Sequence, residues 1–218
     1  MTSGSADNFD AGTEIGVGVG EVGVGPHPLP WPDDPRLDVE LLANGDRRNV
    51  LDEYRYWTVD AIVADLDPRR HPFAIAIENW HHDLNIGTVV RTANAFLARE
   101  VIVVGRRRWN RRGAMVTDRY QHIRHVASIA ELVETSADYT IVAIDNLPGA
   151  LPLEAAALPE RALLLFGQEG TGLSAEARGA AEQVYSIAQF GSTRSINAGV
   201  AAGIAMHAWI RQHATPPQ

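Results

Sequence analysis

Cysteine is missing from all 218 residues, and so is lysine: every one of the 19 basic residues is an arginine. Without cysteine there is no disulfide, no thiolate nucleophile and no cysteine-ligated zinc, and the redox compartment is left open. Without lysine there is no Schiff base and no P-loop, whose lysine must reach the phosphates. The N-terminus also lacks the basic segment and following apolar stretch of a secretory leader. The longest apolar run near the C-terminus, "AGVAAGIAMHAWI", is interrupted by histidine and too short to span a bilayer. A cytoplasmic protein with no membrane partner is expected.

Positive charge is scarce as well. The net charge of −8 argues at first against a nucleic-acid partner, but residues 1–70 hold 14 of the 27 acidic residues and 6 of the arginines. That segment carries the whole imbalance, and the remainder, with 13 of each sign, is neutral. Inside the neutral part, "RRRWNRR" packs five arginines around one tryptophan at positions 106–112. The mean charge therefore hides a basic patch suited to an anionic partner.

Residues 1–32 are rich in Gly, Ser, Pro and acids, with a Gly-Val alternation that offers little bulk to bury, and read as a disordered tail. Residues 33–70 are polar with scattered apolar positions, compatible with two or three short helices in an appended extension. From about residue 71 to 214 the character changes. Apolar runs "FAIAIE", "EVIVVG", "YTIVAID", "RALLLFG" and "VYSIAQF" alternate with the helix-like "NIGTVVRTANAFLA", "SIAELVETSA", "SAEARGAAEQ" and "SINAGVAAGIAMHAWIRQH". Such alternation predicts an α/β domain with a mostly parallel sheet flanked by helices. Ligands then bind at the carboxyl ends of the strands, so the chemistry belongs to the loops that follow them.

Three such loops are polar in an unusual way. In "NWHHDLNIGTVVRTANAF", Asn85 lies near a helix N-terminus and Arg91 about two turns inside it, six positions on and not on the same face. An N-capping Asn with a surface Arg fits this spacing as well as a catalytic pair does. In "LLLFGQEGTGLS" the glycines fall as G-x-x-G-x-G, which matches neither the dinucleotide nor the P-loop pattern, and Glu169 in the middle opposes a phosphate. Close backbone approach to a neutral or cationic ligand and a tight turn capped by Ser174 both remain open. In "IAQFGSTRSINAGVAAGIAMHAW", Ser195 is a plausible N-cap for a helix whose small residues admit another backbone closely, as a packed interior helix or an interface also would.

Taken in order, these segments resemble the SpoU (TrmH-like) branch of the SPOUT RNA 2′-O-ribose methyltransferases. The motifs N-x-G-x-x-x-R, F/M-G-x-E-x-x-G-[LM] and S-[LI]-N stand here as Asn85, Gly87 and Arg91; Phe166, Gly167, Glu169, Gly172 and Leu173; and Ser195, Ile196 and Asn197. The resemblance covers residues 72–212. It implies a C-terminal trefoil knot, an exception to the rule against threaded chains, and a homodimer whose sites borrow groups from each other. It further implies S-adenosylmethionine as cofactor, held by Gly167, Ile187, Gln189 and Ile196, with tRNA or rRNA as substrate. Ala188 and Gln189 depart from the family's usual proline and methionine, and Ala198 and Gly199 from its Val-Ser.

The resemblance assigns Arg91 as base, oriented by Asn85, while Glu169, Ser195 and Asn197 position RNA or brace the loops. An arginine has a pKa above ~12, so a cation that binds phosphate and stabilises a forming alkoxide is the more conservative role. Arg106, Arg107, Arg108, Trp109, Arg111 and Arg112 are the expected RNA-binding residues, by phosphate neutralisation and base stacking, with a solvated charged loop as the alternative. His81, His82 and Asp83, or His122 and His125, lack a full ligand set, and no metal is expected. Two other readings are a catalytically silent knotted RNA-binding dimer and a nucleotide oxidoreductase, the latter disfavoured by the absent G-x-G-x-x-G.

Overall fold

The structure is a computed structural model that describes residues 23–79, 85–168 and 170–215. It divides into two compact units, one up to Thr58 and one from Val59.

In the first unit, helix α1 (Val39–Asn44) starts where the Asp38 carboxylate accepts hydrogen bonds from the amides of Glu40 and Leu41, at 2.9 and 3.3 Å. It ends at Gly45, with φ +89°, where an added Cβ would stand 2.6 Å from the Val24 carbonyl oxygen. The next residue, Asp46, is fully buried. Its carboxylate accepts from the amide and guanidinium of Arg48 and from the Tyr56 amide, while its backbone exchanges two hydrogen bonds with Val24. Gly25 is also held, its carbonyl accepting from the Tyr56 hydroxyl at 2.6 Å. Val24 and Gly25, within the segment expected as a tail, are thus hydrogen-bonded into this unit. Composition does not report these contacts, because the Val24 and Gly25 groups that make them are backbone groups; the His27 ring adds an edge-on contact with Tyr56.

The second unit begins with helix α2 (Val59–Leu66). Strands β1 (Ala74–Asn79), β2 (Val101–Gly105), β3 (Ile123–Val126), β4 (Thr140–Ile144), β5 (Leu151–Pro152), β6 (Ala162–Phe166) and β7 (Gln183–Ser186) form one sheet in the order β3-β2-β1-β6-β4-β7-β5. Every pairing is parallel. Helices α3 (Asn85–Ala95), α4 (Ile129–Thr135), α5 (Ala175–Ala180) and α6 (Ala198–His213) lie between and after the strands.

The strands' twofold alternation divides the core into two layers. Ile75, Ile77, Val101, Val103, Leu164 and Phe166 face one cluster, which takes in Val89 and Val90 of α3 and Met206 and Trp209 of α6. Ala74, Ala76, Ile102, Val104, Leu163 and Leu165 face the other, with Leu132 of α4 and Ala177 of α5. Burial on both sides is why these strands read as continuous apolar runs. Trp209 closes the first layer by packing on Phe73, with ring centroids 4.3 Å apart, and its indole N–H donates to the Pro159 carbonyl at 3.0 Å. A parallel sheet points all its carboxyl ends to one edge. That edge carries the site.

Candidate active site

Three adjacent strands, β6, β4 and β7, deliver the loops that follow them to one place. A cleft of about 440 Å³ opens there, between residues 145–147 after β4, Gly167, Gln168, Gly170, Thr171 and Gly172 after β6, Ile187 and Gln189 after β7, and residues 195–198 with Ala201 at the start of α6. That volume suits a small organic ligand.

The loop after β6 folds back on itself. Gln168 and Gly172 form an antiparallel bridge, with the Gly172 amide donating to the Gln168 carbonyl at 3.1 Å. A Cβ on Gly167 would lie 2.1 to 2.3 Å from the backbone of Gly172 and Leu173, so glycine is required there by the returning chain itself. Gly170 and Gly172 have φ of +92° and +68°, a region that glycine enters without strain. Asp145 fastens this turn to β4: its carboxylate accepts from the Leu173 amide at 3.0 Å and from the Asn146 amide at 2.7 Å. Ser174 caps α5, accepting from the Ala177 amide, and its own amide donates to the buried Glu78 carboxylate at 2.8 Å. Glu169, expected at the centre of this turn, lies outside the described residues, as do His81, His82 and Asp83.

The loop from 187 to 197 is pinned at two points. The Ala188 amide donates to Glu154 at 2.9 Å, and the Asn146 side-chain amide donates to the Arg194 carbonyl at 3.0 Å. Between them Gln189 turns into the cleft wall, and its side-chain Oε1 is buried with no hydrogen-bond donor among the described residues. The N-cap of α6 is Asn197, not Ser195: its Oδ1 accepts from the amides of Gly199 and Val200, at 2.9 and 3.2 Å. Helix α6 starts only at Ala198, which leaves Ser195 exposed on the cleft margin. The Asn197 Nδ2 then donates to Oδ1 of Asn85 at 2.8 Å, tying the start of α6 to the start of α3.

Asn85 is the first residue of α3 and is buried, whereas Arg91 is exposed. Six residues turn a helix by about 600°, which leaves the two side chains about 120° apart. The structure thus joins Asn85 to Asn197 and leaves Arg91 on the outer side. The small residues of α6 meet α3: added Cβ atoms on Gly199 and Gly203 would stand 3.1 and 3.7 Å from the methyls of Thr88 and Thr92. The neighbouring positions Val200 and Ile204 face outward, 53% and 40% exposed.

Arg106, Arg107, Arg108, Arg111 and Arg112 are all exposed. Trp109 is half-buried against the main core, and the Arg111 guanidinium lies 5.7 Å from its ring centre, so the ring anchors the loop. Two further ties hold it: the Asn79 side-chain amide donates to the carbonyls of Arg106 and Arg108, at 2.6 and 3.0 Å, and Gly113 abuts Gly87. A Cβ on Gly87 would sit 2.7 to 2.9 Å from the backbone of Gly113 and Ala114. His122 pairs with Asp67 at 2.7 Å and His125 with the Gly105 carbonyl at 2.6 Å, which accounts for both rings.

Sequence reasoning missed Asp145, Asn146 and Leu147, which form one side of the cleft. The available signal was their position: "IDN" closes an apolar strand run, at the end where such sheets bind ligands.

Residues 72–207 match the SpoU rRNA methylase family. A tRNA/rRNA methyltransferase of Mycobacterium ulcerans, itself uncharacterised, is 26% identical over 86% of this chain and 64% of its own length. A tRNA (guanosine(18)-2′-O)-methyltransferase of Borreliella burgdorferi is 40% identical over 72 residues, a third of each chain. Among solved structures, the SpoU methyltransferase AviRb from Streptomyces viridochromogenes, in complex with AdoMet, aligns with a TM-score of 0.60 at 25% identity over 68% of this chain and 60% of that one. The A. aeolicus TrmH/SpoU tRNA modifying enzyme has the same fold, with a TM-score of 0.62 at 20% identity, over 71% of this chain and 81% of that one. The chain thus spans less than two thirds of the length of the Mycobacterium relative and of AviRb.

Proposed function

The chain belongs to the SpoU rRNA methylase family, and from that premise we propose that it methylates a ribose 2′-hydroxyl of structured RNA, tRNA or rRNA, with S-adenosylmethionine as donor. The observation that carries this reading is the cleft itself: the loops bearing the second and third motifs form its walls at the carboxyl edge of the sheet. The printed descriptions of AviRb with AdoMet and of the Borreliella enzyme as a 2′-O-methyltransferase support it.

The chain's own residues fit such a donor. Apolar Ile144, Phe166, Ile187 and Ile196 offer surface for a flat heterocycle, and the orphaned Gln189 Oε1 offers an acceptor to a neutral N–H. The Asp145 carboxylate supplies negative charge beside a cationic ligand. When bound, S-adenosylmethionine supplies an electrophilic methyl group on a sulfonium. Bringing the hydroxyl and that group into near-attack geometry lowers the barrier by as much as ~7 to 11 kcal/mol. Arg91 remains a cation, grips the adjacent phosphate and stabilises negative charge on the 2′-oxygen while its proton leaves to phosphate or water. Asn85 and Asn197 lock the helix starts that frame the site; Ser195 contributes at its margin, and Glu169 keeps the role the family motif gives it, positioning RNA or bracing the loops. The exposed arginines at 106–112 draw the RNA backbone to the same face.

A homodimer and a knotted C-terminal segment are part of the same reading. The outward positions of Val200 and Ile204 on α6 and the exposed Arg91 on α3 support the first. The placement of β7 between β4 and β5, with the following loop bonded to Asn146, supports the second. Its proposed substrates put its place of work in the cytoplasm.

Titration with S-adenosylmethionine and with NAD(H), followed by mapping of 2′-O-methyl groups in tRNA and rRNA from cells with and without the gene, tests this function. One methylated nucleotide missing from the deleted strain is expected. Binding of NAD(H) without S-adenosylmethionine would overturn the reading, and binding of the donor without turnover on any RNA would leave a silent RNA-binding dimer.

A further inference from the structure

Phe190 is 97% exposed, the most exposed large apolar side chain among the described residues. It contributes nothing to the core, since burial of such a ring is worth roughly 1.5 to 3 kcal/mol only where it occurs. Its position is nonetheless defined. The segment runs from Ala188, bonded to Glu154, to Arg194, whose carbonyl accepts from Asn146, so Phe190 stands on a short arch pinned on both sides. Its neighbour Gln189 enters the cleft wall, as do Ile187 and Ser195 nearby in the chain. Phe190 therefore belongs to the outer face of the strip whose inner face lines the ligand cleft.

The chemistry of the arch narrows what meets this ring. Residues 187–197 contain one arginine, no acidic residue, three hydroxyl side chains at Ser192, Thr193 and Ser195, and one aromatic. All of Ser192, Thr193, Arg194 and Ser195 are exposed. An aromatic face beside a cation and hydroxyls suits an unpaired nucleotide, which stacks its base and presents its phosphate. The reaction demands such a nucleotide here. A 2′-oxygen that comes within ~3 to 3.5 Å of a reacting atom in the cleft carries its own base and its neighbour's to the cleft margin.

Resting on the methyltransferase reading above, we propose that Phe190 is the stacking platform for an unpaired base of the RNA at the cleft margin, with Arg194 beside it engaging phosphate. An extruded or single-stranded nucleotide is thereby selected over a paired one. The ring is a substrate-positioning group and touches neither the donor nor the core.

The test uses the full chain with a fluorescein-labelled 12-nucleotide single-stranded RNA of mixed sequence and a perfectly paired RNA hairpin of equal charge. Phe190→Ala should weaken single-strand binding by roughly 5- to 160-fold, the range for losing one base–aromatic stack, and leave hairpin binding and S-adenosylmethionine affinity unchanged. Phe190→Trp should restore it. Because the ring is unburied, the thermal midpoint should not move, so a null result is not a folding failure. Equal single-strand affinity of Phe190→Ala and wild type would overturn the proposal. So would a shift of Phe190→Ala from dimer to monomer in sedimentation, which would assign the ring to a second copy of the chain. A wild-type protein that binds S-adenosylmethionine but neither RNA would sink the RNA reading as well, whereas loss of donor binding in the wild type would sink the methyltransferase premise alone.

Discussion

A buried carbonyl oxygen without a donor costs a protein about 1 to 3 kcal/mol, and among the described residues Gln189 keeps one in the cleft wall. Replacing it with methionine, similar in length and free of the amide, should have effects of opposite sign on the two states. Gln189→Met should raise the unfolding free energy of the free protein by about 1 kcal/mol, read by urea denaturation. It should weaken S-adenosylmethionine roughly 2- to 10-fold, the worth of one neutral hydrogen bond, read by calorimetry. A variant that loses affinity and stability together would mean that the amide braces the loop rather than meeting the donor. Gln189 was legible only as a departure from the family's pattern, because a sequence shows which residue is unusual but not which of its atoms is left unpaired. Ser195 and Asn197 show the same limit. Both are good N-caps by composition, and the helix start two residues later decides for Asn197.

At the scale of elements, the arginine loop and helix α3 form one device. Gly87, read in the sequence as a motif glycine, is the point where α3 meets the backbone of Gly113, so the first motif and the basic patch are packed together. Asn79, at the end of β1, holds the other side of the loop by two carbonyls. Reversing Arg107 and Arg111 to glutamate should therefore reduce RNA affinity; it removes the Arg111 contact with the Trp109 ring but leaves Trp109 against the core and the Asn79 and Gly87 ties in place. Arg111 is 75% exposed, and its contact with Asp118, at 3.5 Å, is a surface pair of little worth. Loss of two phosphate contacts should flatten the slope of log affinity against log salt by roughly 1.4 to 1.8, with donor affinity retained; an unchanged slope would remove these residues from the interface. The interior strands β1, β2, β4 and β6 were legible because both their faces are buried, which produces unbroken apolar runs. Strand β3, "IRHV", was not: it is an edge strand whose Arg124 pairs with Glu100 at 3.0 Å and whose His125 bonds the Gly105 carbonyl, so its polarity resembles a loop.

For the molecule as a whole, the two units carry different dependences on pH and on assembly. In the unit up to Thr58, burial pushes the Asp46 carboxyl up, but hydrogen bonds from the Arg48 side chain and from the amides of Arg48 and Tyr56 outweigh it and hold it below the usual carboxylate range. A carboxyl depressed by folding stabilises the unit above its ordinary pKa of 3.8, and that contribution fades as the pH falls below this value. Near-ultraviolet signals from Trp31 and Trp57 should be lost on acidification through that window, and Asp46→Asn should weaken the unit at neutral pH while removing this acid step. In the larger unit the decisive feature is the separation of Arg91 from the cleft of its own chain: it is exposed on α3, while Asn85 turns inward to Asn197. In a homodimer that buries the outer side of α3 and α6, Arg91 would reach the partner's cleft, and this is open to a mixing experiment. Arg91→Ala removes the cation but leaves the cleft intact; Ile196→Arg keeps Arg91 and sets a like charge where a sulfonium must lie. Each variant alone should be nearly inactive. When the two are co-expressed, half of the dimers are mixed, and in each of these one cleft retains both an intact wall and an arginine from the other chain. Activity should return to about a quarter of wild type. If Arg91 serves its own cleft instead, every site in the mixture lacks one component, and no activity returns.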